Sequence, residues 1–385
     1  MAIRSVIQRL TTALNSQVQS GNAAKPLQEQ NSPGYSQSDY QMKLAKEIEY
    51  YRSVSNVHDL PEIFHYWSNK YLVPKFRQFG FGNPKEFFAT YMLKVLAGKT
   101  TDPTYLISIG SGNCEFEIEI AERLLALGTD HFILECMDLN PHMLDRGRKL
   151  AEEKGVISRM KFLNQDVNSW QAERHYEIIM ANQALHHFVD LETLFGKIYE
   201  TLSPEGFFLT DDIIGRNGHM RWPEALAIVN EFWKVLPKSK KYNHQLKRVE
   251  LKYDNWDCSK EGFEGIRAQD ILPLLIKKFQ FDLFIGYGNV IDVFIDRSFG
   301  HNYNPDNEWD RNFIDRVHYT DEENLEQGII KPTHMTAAMT RGAVSRTKVH
   351  KHLTPEFCLR DPLSDGNSER FSWIHGFSLR KGSSQ

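Results

Sequence analysis

The sequence predicts an α/β fold: a mostly parallel sheet of seven strands covered by helices, with a helical cap ahead of it and two insertions in its second half. Three observations carry this expectation. Between residues 104 and 214, short apolar runs of strand length alternate with longer segments of helical period. The first run ends in a glycine-rich turn that leads straight into a helix. After residues 215–265, which have a different texture, the alternation resumes. Strands and helices in this rhythm form a sheet buried on both faces.

Taken in order, residues 1–40 are polar, hold little that could fill a core, and are expected to be a disordered leader. Residues 41–100 turn helical and aromatic through EIEYYRS, LPEIFHYWSNKYLVPKF and PKEFFATYMLKVLAG, the last opening at Pro84 and stopping at Gly98. The core, residues 101–214, begins with the strand TYLISIG and the helix EFEIEIAERLLALG, whose Phe116, Ile120, Leu124 and Leu127 share one stripe. The strand HFILECMDL, the helix PHMLDRGRKLAEEKG and the strands MKFLNQDV and HYEIIMAN follow. The helix in LETLFGKIYETLSPEG and the strand GFFLTDDII close this part. Residues 215–265, rich in Trp, Tyr, Asn, Arg and Lys, are expected to form a substrate-side insertion or lid. Over 266–341 the core is completed by IRAQDILPLLIKKF, FDLFIGYG and KPTHMTAAMT, with a second insertion before the last of these. Residues 342–385 are polar and basic and are assigned no structure.

Composition narrows the function classes. A formal net charge of -4 provides no field that would gather nucleic acid or an anionic membrane, so no nucleic-acid partner is expected. A basic stretch (Lys238, Lys240, Lys241, Lys247, Arg248) is the one local exception to that average. The four cysteines are scattered, without ligand spacing, which argues against structural zinc or a disulfide framework and suggests a cytoplasmic protein. No apolar run approaches a membrane span, and the amino terminus lacks the apolar stretch of a secretory signal.

The segment Ile107-Ser-Ile-Gly-Ser-Gly-Asn-Cys-Glu115 is the most informative. A glycine turn after the first strand lets a nucleotide-like ligand approach the backbone, beside the free N–H groups of a helix start. A dinucleotide site requires a third glycine where this chain has Glu115, and a carboxylate there opposes a pyrophosphate. S-adenosylmethionine has no phosphate; it carries a sulfonium and an ammonium, so the local chemistry favours it. Asp138 ends the second strand, where a carboxylate can accept both ribose hydroxyls, or simply cap the next helix. Asp166 ends the third strand, where it can accept from an adenine amino group, with the Val167 N–H beside it.

YLISIGSGN, ILECMDLNPHML, KFLNQDV, EIIMANQALHHF and LSPEGFFLTDD follow, in order, a known set of motifs. Over residues 104–214, with a looser continuation to 341, the chain resembles the class I, Rossmann-like S-adenosylmethionine-dependent methyltransferases. The resemblance implies that Gly110 and Gly112 lie under the methionine part of the donor and that Asp138 holds the ribose. It implies Leu139 and Val167 around the adenine, Asp166 on its amino group, and Asn182 and Gln183 near the donor. The chain departs from the pattern at Ser108, where many members have an acid, and at Cys114, where many have a third glycine.

For the acceptor side, His186 and His187, just past the fourth strand, are the first candidates for a general base. Their alternative is packing or capping. Asp211 and Asp212 with Asn182 are similar to the magnesium site of catechol-type enzymes, yet adjacent strand residues point to opposite faces, so no metal is expected. Arg216, Asn217, His219, Arg221 and Trp222 are candidates for the acceptor pocket, with a solvated loop as the alternative; His219 and Asp212 are further catalytic candidates. The aromatic and polar clusters DNWD (254–257) and FIDRSFGHNYN (294–304) suit a sugar-like acceptor or a packed lid. His65, Tyr66 and Trp67 lie on the cap, where the resemblance places helices over the ligands. The expected activity is O-methylation of a small or glycan-like polar acceptor. Alternatives are N- or C-methylation, a non-catalytic nucleoside-binding protein, and a nicotinamide-dependent oxidoreductase.

Overall fold

The computed structural model describes residues 60–99, 103–260 and 262–360, together with 40–43, 45, 48 and 49. The expected leader, apart from Tyr40, and residues 361–385 lie outside the described residues.

The apolar runs form the strands β1 (Thr104–Ile109), β2 (Phe132–Asp138), β3 (Met160–Asn164), β4 (Tyr176–Asn182) and β5 (Leu202–Ile213). Later come β6 (Gln280–Tyr287), β7 (His334–Thr340) and the short β8 (Lys348–Val349). Their order across the sheet is β8-β6-β7-β5-β4-β1-β2-β3. The first five strands run parallel, β7 is antiparallel to β5 and β6, and β8 is parallel to β6. Both faces are buried, so adjacent residues of one strand enter different cores: Leu106, Ile178 and Leu209 join one cluster, Ile107, Ile179 and Phe208 the other.

Among the described residues, ten helices lie between residues 60 and 360: α1 (Glu62–Trp67), α2 (Val73–Arg77), α3 (Pro84–Leu96), α4 (Glu115–Ala126), α5 (Pro141–Glu153), α6 (Leu191–Thr201), α7 (Pro223–Val235), α8 (Ala268–Lys278), α9 (Asp292–Ile295) and α10 (Glu308–Glu326). A π turn over Ser68–Leu72 joins α1 to α2. Asn83, Asn140 and Asp190 cap α3, α5 and α6 with side-chain acceptors.

Three features differ from the sequence expectation. The eighth strand lies in the segment assigned no structure, where two residues show no periodicity. The same segment is tied down by Arg360 on Glu224 at 2.6 Å and by the His350–Gln78 contact at 3.0 Å. The second insertion contains the 19-residue α10, started by Asn307. Its apolar stripe (Phe313, Ile314, Val317, Leu325) is interrupted by Asp310, His318 and Asp321, which are also buried, so the helical period is masked.

Candidate functional site

The strand order reverses between β1 and β4, and beyond their carboxyl ends lies a cleft of about 2670 Å³. At one end is the loop after β1. Gly110 has φ +71° and Gly112 φ +53°, conformations that favour glycine. A Cβ on Gly110 would stand 2.7 Å from Ala184 Cβ, so the loop packs directly on the segment after β4. Asp138 holds the loop from below: Oδ2 accepts the Gly112 N–H and Oδ1 the Asn140 N–H, both at 2.8 Å. A carboxylate oxygen is also the kind of acceptor a ribose hydroxyl uses. Asp166 accepts from the Asn168 N–H at 2.9 Å and the Tyr40 hydroxyl at 3.3 Å. Tyr40 meets Phe263 with ring centroids 5.3 Å apart, so the two aromatics close over this end.

Beneath the glycines, Ser108 Oγ donates to Glu117 Oε1 at 2.7 Å. Glu117 is 3% exposed, lines the cleft, and its Oε2 has no protein hydrogen-bond partner. Burial raises its carboxyl to about 7 against the bond from Ser108, and the charges of Asp138 and Glu115 add to the rise.

Also lining the cleft, His186, His187, His219 and Glu264 converge from three segments, with Asp212 behind His186. His186 Nδ1 lies 2.6 Å from Asp212 Oδ1, and its Nε2 lies 3.3 Å from Glu264 Oε1. His219 Nε2 is 2.6 Å from the same Glu264 oxygen, and His187 Nε2 is 3.5 Å from Oε2. Asp212, fully buried, also accepts the N–H groups of Ala184 and Leu185 at 2.9 and 2.8 Å. Burial by itself lowers the His186 imidazole, but Asp212 and Glu264 overcome it and carry the group up to about 10. Burial would raise Glu264, and the surrounding His187, His186 and His219 instead hold it well below the carboxylate range. Burial keeps His219 below its ordinary value, with Glu264 opposing.

Residues 107–206 match the family described as "Methyltransferase domain". Residues 107–206 thus carry a methyltransferase domain. The methyltransferase domain resembles that of the tRNA 5-carboxymethoxyuridine methyltransferase of Escherichia coli (strain K12), 29% identical over 116 residues that cover 29% of this chain and 41% of that protein. The chain thus spans less than half the length of the curated relatives it matches. Two solved structures are distantly similar. The geranyl diphosphate C-methyltransferase from Streptomyces coelicolor A3(2) is 10% identical with a TM-score of 0.41, covering 78% of this chain and 98% of that one. A SAM-dependent methyltransferase from Thiobacillus denitrificans is 14% identical with a TM-score of 0.35, covering 73% and 97%. Likenesses this remote say nothing of substrate.

Within the methyltransferase domain, Gly110, Gly112, Asp138, Leu139, Asp166, Val167, Asn182 and Gln183 all line the cleft. So do His186, His187, His219 and Arg221. Asp211 and Asp212 point apart, as neighbours on a strand do. Asp211 accepts from Tyr287 and Thr336, while Asp212 faces His186, so the two do not surround an ion. Asp212 contacts the His186 ring from behind, on its Nδ1. Arg216 donates to the Arg221 carbonyl, Asn217 pairs with Gln269, and Trp222 lies under Arg360, so these three serve the loop itself. Of the cap residues, Trp67 lines the cleft, while Tyr66 bonds to Asp315. Sequence reasoning missed Glu117 and Glu264. The loss of an acid at Ser108 is a signal for the first; nothing in spacing links Glu264 to His186.

Proposed function

We propose that this chain transfers a methyl group from S-adenosylmethionine to a polar acceptor, at oxygen. One observation carries the reading: a single cleft is lined both by the Gly110–Gly112 loop and by the cluster of His186, His187, His219 and Glu264. The donor residues fit the ligand. Gly110 and Gly112 take the positive φ that shapes the loop and both line the cleft, and the orphaned Oε2 of Glu117 supplies a buried acidic partner for the methionine ammonium. Asp138 would take the ribose, Asp166 and Val167 the adenine edge, with Leu139, Asn182 and Gln183 beside them. Glu115 opposes a pyrophosphate, which disfavours a nicotinamide cofactor.

The donor supplies an already activated methyl group; its sulfonium becomes a thioether as the acceptor oxygen gains the methyl. The protein's part is alignment and exclusion of water, which Tyr40 and Phe263 assist. The acceptor's proton passes to a base, and His187, part-exposed in the cleft beside Glu264, is placed to take it. His186 is a poorer choice, since both its ring nitrogens already face carboxylates. The inserted segments bring Asp254, Trp256, Arg297 and His301 to the same cleft, a lining suited to a polyhydroxylated or glycan-like small molecule. Release of S-adenosylhomocysteine from labelled donor with a panel of phenols, sugars and carboxylic acids tests this; turnover with none of them, or only at nitrogen or carbon, rejects the oxygen reading.

A second reading, an RNA acceptor, is favoured by the curated relative, whose name states a tRNA substrate. Against it, Lys240 is bound to Asp310 and Arg248 to Asp254, so part of the basic stretch is neutralised locally. Filter binding of bulk tRNA across a salt series distinguishes the two: a steep salt slope supports RNA, and no retention supports the small acceptor.

A further inference from the structure

We propose that His186, His219 and Glu264 form a binding site for one divalent first-row transition-metal ion at the acceptor end of the cleft. The three ligand atoms, two imidazole nitrogens and one carboxylate oxygen, all lie within 4.8 Å of one another. Ligand atoms around an ion with bonds of about 2.0–2.2 Å stand roughly 3 Å apart, so small side-chain rotations suffice.

The site is built in advance. His186 is aimed by Asp212, whose carboxylate takes its Nδ1 at 2.6 Å and is itself fixed by two backbone N–H groups. A metal-bound imidazole is oriented in the same way, by a carboxylate on its other nitrogen. The three ligand segments are also stapled together through the backbone. The Ile266 N–H donates to the His186 carbonyl at 3.1 Å, and the Gly218 N–H to the Gly265 carbonyl at 2.9 Å. These two bonds fall just after Glu264 and tie its segment to those of both histidines.

Charge points the same way. Glu264 is the acidic member of the cluster and meets histidines on three sides. A dication satisfies that field. Two nitrogens and one oxygen suit zinc, iron, cobalt or manganese; magnesium and calcium prefer all-oxygen shells. Three protein ligands leave positions open toward the cleft, where a metal would bind and acidify an acceptor hydroxyl. Metal uptake stands on this geometry; only its use in methyl transfer rests on the reading above.

The test uses the full chain, stripped with chelator and equilibrated against buffered Zn2+, with metal content measured after dialysis. The expected result is about one zinc per chain, with affinity at least tenfold lower in Glu264→Gln and in His219→Asn, and about tenfold lower in Asp212→Asn. Binding of S-adenosylhomocysteine in each variant reports whether the fold and the donor site persist. In the wild type, bound zinc should also shield His186 and His219 from carbethoxylation, read by peptide mass mapping. Zinc that fails to bind stoichiometrically, binds the double variant Glu264→Gln/His219→Asn equally well, or leaves both histidines reactive overturns the proposal. Loss of nucleoside binding with zinc uptake intact would instead reject the methyl-transfer reading.

Discussion

Ser108 donates to Glu117 across the floor of the glycine loop at 2.7 Å, which moves the acid from β1, where the resemblance expects it, to the first turns of α4. The shift keeps a carboxylate beneath the glycine loop while changing the element that supplies it. Glu117→Gln should therefore weaken S-adenosylhomocysteine binding about tenfold, as expected for a lost hydrogen bond to a charged group. Ser108→Ala should weaken it less. Calorimetric titration of the two variants checks both; equal affinities to wild type would remove Glu117 from the donor site.

The same carboxyl makes stability depend on pH. Its folded value, about 7, lies above the ordinary value of 4.5, so its contribution is present below about 4.5 and is lost as pH rises through 7. The loss is on the order of 3 kcal/mol for a shift of this size. Denaturant unfolding between pH 4.5 and 8 should show this decline in the ligand-free wild type and a shallower one in Glu117→Gln. Parallel profiles would contradict the assignment.

Asp138→Ala should weaken donor binding by about 1–3 kcal/mol, since a charged acceptor is removed. It should also loosen the loop, because the Gly112 and Asn140 N–H groups lose their partner. Asp138→Asn keeps one acceptor and should fall between; its titration beside that of the alanine variant checks the order.

His187→Ala should lower turnover far more than donor affinity. The ring lies beside Glu264 in the cleft. Steady-state kinetics paired with calorimetry separate the two effects, and unchanged turnover would take His187 out of the mechanism.

Gly110→Ala should destabilise the protein by about 1–3 kcal/mol, from a left-handed backbone and a Cβ placed 2.7 Å from that of Ala184. Thermal unfolding measures it. A variant as stable as wild type would mean that the loop and the post-β4 segment are less closely packed than here.

The periodic parts of the molecule were legible in the sequence. Runs such as TYLISIG and HYEIIMAN are strands because both faces are buried, and β-strand apolarity of that kind is local information. The glycines were legible because only positive φ explains them in that position. What escaped was non-local or too short. α10 hid its stripe behind Asp310, His318 and Asp321, and β8 is two residues long. Glu264 reaches His186 through a backbone bond from Ile266 to the His186 carbonyl, a fact no spacing encodes. The opposition of Asp211 and Asp212 was foreseeable from strand geometry; the role of Asp212 behind His186 needed the fold.

Calorimetric titration of the purified chain with S-adenosylhomocysteine, beside NADH under the same conditions, tests the central reading most directly. Saturable binding at one site per chain, weakened in Asp138→Ala and absent for NADH, is the predicted result. No heat from the nucleoside at saturating concentration, or tighter binding of NADH, would contradict it.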